Sequence, residues 1–275
     1  MTPEIITSRD NSLLRHVRAV REGKTTEHIF VEGLRLCEEV LRSGLAIEAV
    51  IVSEELAEKE KWAETVVRLS AVSQRVAVVS EKLLETVSYT KTPQGIVVLA
   101  PRPDTGRQHF ANQQRDELIV VMHRINNPVN VGAILRTAEA AGASGAIATQ
   151  NTADPFSPKA LRGAMGSAFR LPVWNGPTYE EAITWCREQN VQTICADVHG
   201  SASYDEVDWR KPSALVMGPE SSGLSAEEIA AASGAVRIPM KESAESLNVA
   251  VATGVLLYEA ARQRRLDFPS LSGRG

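Results

Sequence analysis

Two polar loops late in the chain hold the residues best suited to bind and orient a ligand. The first, Gly218-Pro-Glu220-Ser-Ser-Gly223-Leu-Ser225, interrupts an apolar run that ends at Met217; the second leads from Ile238 and Pro239 to Ser246, Leu247 and Asn248. Glycines after a strand let a ligand approach the backbone closely, and nearby hydroxyl, amide and carboxylate groups can orient it through hydrogen bonds. Open α/β sheets place their ligands where strands hand over to helices. Neither loop is the dinucleotide fingerprint Gly-x-Gly-x-x-Gly, and the chain has no Gly-Lys-Ser/Thr phosphate loop. Residue types alone therefore reach a ligand-binding α/β site and no further. Arg136, early in the helix that follows residues 123–130, either faces that edge of the sheet or sits on a solvated helix surface.

Hydrophobic patterning gives the elements that must position these loops. Residues 118–122 are a continuous apolar run, as in a strand covered on both faces. Further strands are expected at 145–149, 171–174, 191–196 and 214–217, and one more through Val236 and Ile238, where Pro239 cannot continue the ladder. Asn130 is a natural N-cap for the helix that Gly142 closes. Helices follow over 179–188 and over 226–232, the latter capped by Ser225, and the last is expected to begin near Ser246. Between Leu247 and Leu257 only Asn248 and Thr253 are polar. Such a helix needs cover on every side, from the sheet and from another subunit or domain.

The first hundred residues also alternate. Helices are expected over 8–24 (capped by Ser12), from Gly33, over 59–69 and over 81–87; strands at 28–31, 49–52, 75–79 and 96–100. The resulting division is a small α/β domain over 1–101, a linker rich in Pro, Gly and polar residues over 102–116, and a second α/β domain over 117–275. Arg15, Arg18, Arg21 and Lys24 share a face of the first helix, either a solvated surface or a basic stripe for RNA phosphates.

Composition narrows the classes. The 275 residues are 43% hydrophobic and 23% charged, ordinary for a globular chain of two modest domains. A net charge of −4 confines any nucleic-acid contact to a local patch. Cys37, Cys186 and Cys195 form no Cys-x-x-Cys pair, and the five histidines show no ligand-like spacing, so no metal is expected and a reducing cytoplasm is. There is no basic segment followed by an apolar run at the N-terminus, and no apolar run of the roughly 18 residues that a membrane span needs. A soluble cytoplasmic protein is expected.

Three segments in order then carry a resemblance: Asn127-Pro-Val-Asn130-Val-Gly-Ala-Ile-Leu-Arg136-Thr-Ala-Glu-Ala-Ala-Gly142, Val216-Met-Gly218-Pro-Glu220-Ser-Ser-Gly223-Leu-Ser225, and Ile238-Pro-Met240 with Ser246-Leu-Asn248-Val-Ala-Val-Ala-Thr-Gly254. Together they resemble the SpoU-type RNA ribose 2′-O-methyltransferases of the SPOUT superfamily. Phe30-Val-Glu-Gly33 and Thr92-Pro-Gln-Gly95 are similar to the substrate-binding domain that precedes many of these enzymes. The resemblance implies a trefoil-knotted, parallel-sheet methyltransferase domain preceded by a small α/β RNA-binding domain like a ribosomal protein. It also implies S-adenosylmethionine as methyl donor and a homodimer formed through the C-terminal helix. By position, Met217, Gly218, Ile238, Pro239 and Leu247 would hold the cofactor, and Asn130, Arg136, Glu220, Ser246 and Asn248 would form the active site.

Because a guanidinium stays protonated, Arg136 is expected to grip a phosphate and stabilise the developing alkoxide, with Ser246 and Asn248 orienting the ribose. The chain departs from the family pattern at His123 and Asn127, where acidic residues are common, at Glu242, where glycine is frequent, and at Ala250, which replaces a serine. Glu242 is expected to narrow the cofactor pocket. The N-terminal domain resembles those of ribosomal RNA enzymes more than the short arms of transfer RNA enzymes, which favours large-subunit ribosomal RNA as substrate. The alternatives are a tRNA 2′-O-methyltransferase and a catalytically degenerate RNA-binding module of ribosome assembly. Intact Arg136, Glu220, Ser246 and Asn248 favour the enzyme.

Overall fold

The computed structural model describes residues 3–58, 60–113, 118–241, 243 and 245–264. Glu242 and residues 114–116 of the expected linker lie outside them. Residues of 1–104 and 154–170 form one compact unit, and those of 105–153 and 171–275 form the other.

The first unit contains β1 (Glu4–Ile6), α1 (Ser12–Arg21), β2 (His28–Glu32), α2 (Leu34–Ser43) and β3 (Ile47–Ser53). It continues with α3 (Glu54–Glu58), α4 (Glu60–Val72), β4 (Ser73–Val79), α5 (Glu81–Glu85) and β5 (Ile96–Pro101). Its sheet has the order β1-β4-β3-β5-β2, with β3 parallel to β4 and antiparallel to β5. The α1 stripe Leu13, Leu14, Val17 and Val20 enters one core with Phe30, Ala49, Ile51 and Leu99, as its helical spacing requires. Asn11, not Ser12, caps this helix: its side-chain oxygen accepts the Leu13 N–H at 2.8 Å. Strand β1 went unforeseen because three residues, of which only Ile6 is buried, leave no alternation to read.

The chain then forms α6 (Arg107–Gln113), β6 (Leu118–Met122), α7 (Pro128–Ala140) and β7 (Gly145–Ala148) in the second unit. It returns to the first unit for α8 (Pro158–Ala164) and α9 (Ser167–Arg170), where Arg170 pairs with Glu39 of α2 and Asp154 pairs with Arg102. The second unit resumes with β8 (Val173–Asn175), α10 (Tyr179–Glu188), β9 (Gln192–Ala196) and β10 (Ala202–Ser203). It closes with β11 (Ser213–Met217), α11 (Ala226–Ala231), β12 (Gly234–Arg237) and α12 (Val249–Arg264). The seven strands run parallel in the order β10-β12-β9-β11-β6-β7-β8. Every residue of β6 is buried, as its unbroken apolar run anticipates. Within the stretch expected to be a linker, α6 is anchored by Phe110, which is fully buried with its ring centroid 5.3 Å from that of Trp185. One aromatic among prolines and polar residues gives no period from which a helix could be read.

Two further helix starts differ from expectation, each for a capping reason. Asn127 caps α7 by accepting the Val129 N–H at 3.0 Å, with Pro128 in the first turn. Proline suits that position because its missing N–H would find no partner there. Asn130 is thereby moved inside the helix. Asn248 rather than Ser246 heads α12, accepting the N–H groups of Ala250 at 3.0 Å and Val251 at 3.3 Å, so Ser246 and Leu247 stay in the preceding loop. Ser225 does cap α11, in a reciprocal capping box with Glu228. Among the described residues no helix is long and apolar enough to cross a membrane.

Candidate active site

Strands β12, β9 and β11 lie side by side, and the loops leaving their carboxyl ends wall a cleft of about 600 Å3. Met217, Gly218, Glu220, Ile238, Ser246, Leu247 and Asn248 all line it. The volume suits a small organic ligand. Three other residues expected at the site stand apart from the cleft wall. Pro239 is exposed and not part of the lining. Asn130 lies behind the wall, 7% exposed, and its Oδ1 accepts a hydrogen bond from the Asn248 amide at 3.3 Å. Arg136 sits on the exposed side of α7, off the lining.

Local geometry explains why the first loop needs its glycines. A Cβ at Gly218 would lie 2.7 Å from Leu224 Cγ and 3.0 Å from the Leu224 nitrogen, because the loop doubles back over this residue. Gly223 closes the bend with φ +64°, its N–H donating to the Pro219 carbonyl at 2.9 Å. Leu224 is buried, and the capping box at Ser225 begins α11 directly after it. The bend is therefore held at both ends before any ligand arrives.

One wall of the cleft was not singled out from the sequence. Ala196, Asp197, Val198 and His199, which leave β9, also line it. The Asp197 N–H donates to the Val236 carbonyl at 3.0 Å, and its Oδ1 accepts the His199 N–H at 2.7 Å. Gly200 presses so closely on β12 that a Cβ there would come within 2.4 Å of the Val236 carbonyl carbon. The available signal was an apolar strand running into Asp-Val-His-Gly, the same handover that marks the other two loops.

His123, at the end of β6, organises the region between β6 and α11. Its Nε2 lies 3.0 Å from the Glu228 carboxylate and its Nδ1 2.9 Å from the Thr149 hydroxyl. A neutral ring donating from Nε2 would accept from Thr149 at Nδ1. Arg124, with φ +52°, donates to the same Glu228 oxygen at 2.9 Å, and the Tyr179 ring lies 4.7 Å from that of His123. Burial holds the His123 pKa below its ordinary value, and Glu228 only partly offsets this. Burial alone would raise the Glu228 carboxyl, but the Ser225 N–H, His123 and Arg124 together pull it below the usual range. Burial also pushes the Cys195 thiol up to about 11, which leaves it an unreactive packing group.

The four basic residues of α1 are differently employed. Arg15 and Lys24 are exposed, with Lys24 2.7 Å from the Glu22 carboxylate. Arg18 donates to the Arg9 carbonyl at 2.8 Å, and Arg21 to the carbonyls of Thr86 at 3.2 Å and Ser88 at 2.9 Å. Part of this charge therefore ties the helix down.

Comparison with known proteins gives two family matches, two similar relatives and one similar solved structure. Residues 117–258 match the family described as SpoU rRNA Methylase, and residues 13–98 match the MRM3-like substrate binding domain. The chain is 32% identical over 212 residues to the 23S rRNA (uridine(2479)-2′-O)-methyltransferase of Streptomyces viridochromogenes, covering 75% of this chain and 73% of that one. It is 29% identical over 240 residues to the 23S rRNA (guanosine(2553)-2′-O)-methyltransferase of Bacillus subtilis, covering 86% and 90%. The AdoMet-bound rRNA methyltransferase from Sinorhizobium meliloti superposes with a TM-score of 0.82 at 33% identity, over 94% of this chain and 97% of that one.

Proposed function

The chain belongs to the SpoU rRNA methylase family, and from that premise we propose that it transfers the methyl group of S-adenosylmethionine to a ribose 2′-hydroxyl of 23S ribosomal RNA. The observation that carries this reading is the convergence of Met217, Gly218, Glu220, Ile238, Ser246, Leu247 and Asn248, drawn from two loops, on one cleft. The donor set suits the cofactor. Met217, Ile238 and Leu247 offer apolar contact, and the carboxylates of Asp197 and Glu220 give the cleft the negative charge that favours a sulfonium cation. When bound, S-adenosylmethionine supplies an electrophilic methyl carbon. Pro239, beside Ile238, belongs to the same cofactor-holding loop in this reading.

The chain's own residues supply placement and charge. Ser246 and Asn248 orient the ribose, with Asn130 holding the Asn248 amide from behind. Arg136 grips the neighbouring phosphate and stabilises the alkoxide that forms as the 2′-hydroxyl loses its proton. Glu220 completes the polar rim.

The homodimer is proposed from α12. Val251 is 54% and Tyr258 50% exposed on this helix, with Leu247 at 39% just before it and Val129 at 44% on α7, which packs along α12. Pairing through α12 would cover this face and is the step that would carry the partner subunit's Arg136 to the cleft. The trefoil knot is proposed from the resemblance of residues 216–225 and 238–254, and it would hold two of the cleft loops together. Residues 1–101 act as the substrate domain in this reading, with Arg15 and Lys24 facing RNA phosphates and Arg18 and Arg21 holding their helix in place, ahead of a linker over 102–116 and the methyltransferase domain over 117–275. The enzyme works in the cytoplasm, where ribosomes are made.

The test is methylation of transcribed 23S rRNA and of tRNA by the purified protein, mapped by 2′-O-methyl-sensitive primer extension, alongside calorimetric titration with S-adenosylmethionine. Cofactor binding with one modified 23S nucleotide is expected. Modification of tRNA alone would reassign the substrate, and cofactor binding without transfer to either RNA would point to the degenerate module.

A further inference from the structure

We propose that His16, His28 and Glu48 form a binding site for one first-row divalent cation, with zinc as the favoured ion, in the first unit. The three residues come from α1, β2 and β3, far apart in sequence, yet one ligand atom from each lies within 4.8 Å of the other two. Among the described residues no other group of three such side chains converges in this way. The His16 and His28 rings meet edge-on with centroids 5.1 Å apart, and Glu48 pairs with His28 Nε2. The His28 and Glu48 side chains are only 17% and 34% exposed.

The close contact of His28 with Glu48 explains two of these residues and leaves the third without a role. Among the described residues the His16 ring makes no hydrogen bond, although it stands against the pair. The His28 Nδ1 atom is buried with no hydrogen-bond partner either, and Nε2 is the nitrogen that faces Glu48. Two neutral imidazoles and a carboxylate are a set that zinc accepts, with water in a fourth position. Zinc–ligand bonds of about 2.0–2.1 Å put tetrahedral ligand atoms roughly 3.4 Å apart. Side-chain rotations of about an ångström would draw the three groups onto the ion, with no change of strand register. The cation would clamp α1 onto the sheet and add positive charge beside the helix that carries Arg15 and Arg18. That last consequence rests on the RNA-binding reading; the site does not.

The test uses the full-length chain, stripped of metal by a chelator and titrated with Zn2+ by calorimetry and with Co2+ by absorption. One equivalent is expected to bind. The cobalt spectrum should show d–d bands without thiolate charge transfer, since Cys37, Cys186 and Cys195 are not among the ligands. Affinity should fall at least tenfold in His16→Ala and in Glu48→Gln, the second nearly isosteric and so a safeguard if the first disturbs folding. Each variant's affinity for S-adenosylmethionine, measured in parallel, is expected to be unchanged, which separates this site from the cofactor cleft. Absence of stoichiometric binding, a thiolate band, or wild-type affinity in both variants would overturn the proposal.

Discussion

The Asn248 side chain joins two helices across 118 residues of sequence: its amide donates to Asn130 Oδ1 at 3.3 Å while its own Oδ1 caps α12. The two functions can be separated by substitution. Asn248→Ala removes both and is expected to cost about 1 kcal/mol of stability, the usual loss for a cap, together with most methyl transfer. Asn130→Ala leaves the cap and should lower activity with a smaller change in Tm. A double-mutant cycle on rate should give a coupling energy well above zero. Strict additivity would mean that the contact does not position Asn248 for catalysis.

Gly218 tolerates no side chain because its loop folds back over it. Gly218→Ala puts a methyl group 2.7 Å from Leu224 Cγ and 3.0 Å from the backbone nitrogen. Affinity for S-adenosylmethionine should fall tenfold or more, about 1.4 kcal/mol. Adding Leu224→Ala relieves the side-chain clash but not the backbone one, so recovery should be partial. Wild-type affinity in the single variant would contradict a bend held in advance.

The His123–Glu228 pair makes stability depend on pH in a known direction. Both groups have folded pKa values below their ordinary ones, so the folded state binds fewer protons than the unfolded state. Their contribution is complete above about pH 6.5 for His123 and about pH 4.3 for Glu228, and it is lost as pH falls through the lower folded values. Tm should therefore decline on acidification, and His123→Gln should flatten the decline below about pH 6.5. Identical slopes in the two proteins would remove His123 as the source.

Arg136 and the exposed face of α12 should affect turnover without affecting cofactor binding. Arg136→Ala is expected to lower methylation by about a hundredfold or more, with cofactor affinity retained, since the side chain is off the cleft wall. Arg136→Lys should recover only part, because an ammonium cannot reproduce a planar fork. Val251→Asp should yield a monomer in sedimentation and an inactive protein. Mixing Arg136→Ala and Gly218→Ala subunits should restore activity if the arginine works across the dimer, and no restoration would confine it to its own subunit.

Most of the sheet was legible because parallel strands buried on both faces read as apolar runs, as β6 and β11 do. The cleft loops were legible for a related reason: polar, glycine-bearing stretches follow directly on those runs. The errors cluster where several residues can do one job. Asn127 and Asn130, or Ser246 and Asn248, are all competent caps, and the choice depends on Pro128 and on which side chain reaches a free N–H. Helix α6 was hidden because its anchor is a single ring, Phe110, packed on Trp174 and Trp185. The Asp197 wall could have been found from its glycine, but its closeness to the other loops depends on the strand order β12-β9-β11, which no local pattern reveals. Convergence of His16, His28 and Glu48 is likewise a product of topology.

The first unit borrows α8 and α9 from the middle of the second, and this has a consequence for synthesis. Residues 1–104 can form their sheet as soon as they emerge, but Glu39 and Arg102 must wait for Arg170 and Asp154. The nascent first unit is therefore incomplete until about 170 residues are out of the ribosome, by which time β6, α7 and β7 have also emerged. The units cannot mature strictly one after the other, and a fragment cut at the linker would lack two of its helices. Limited proteolysis of such a fragment should open the surface of α2 that α9 normally covers.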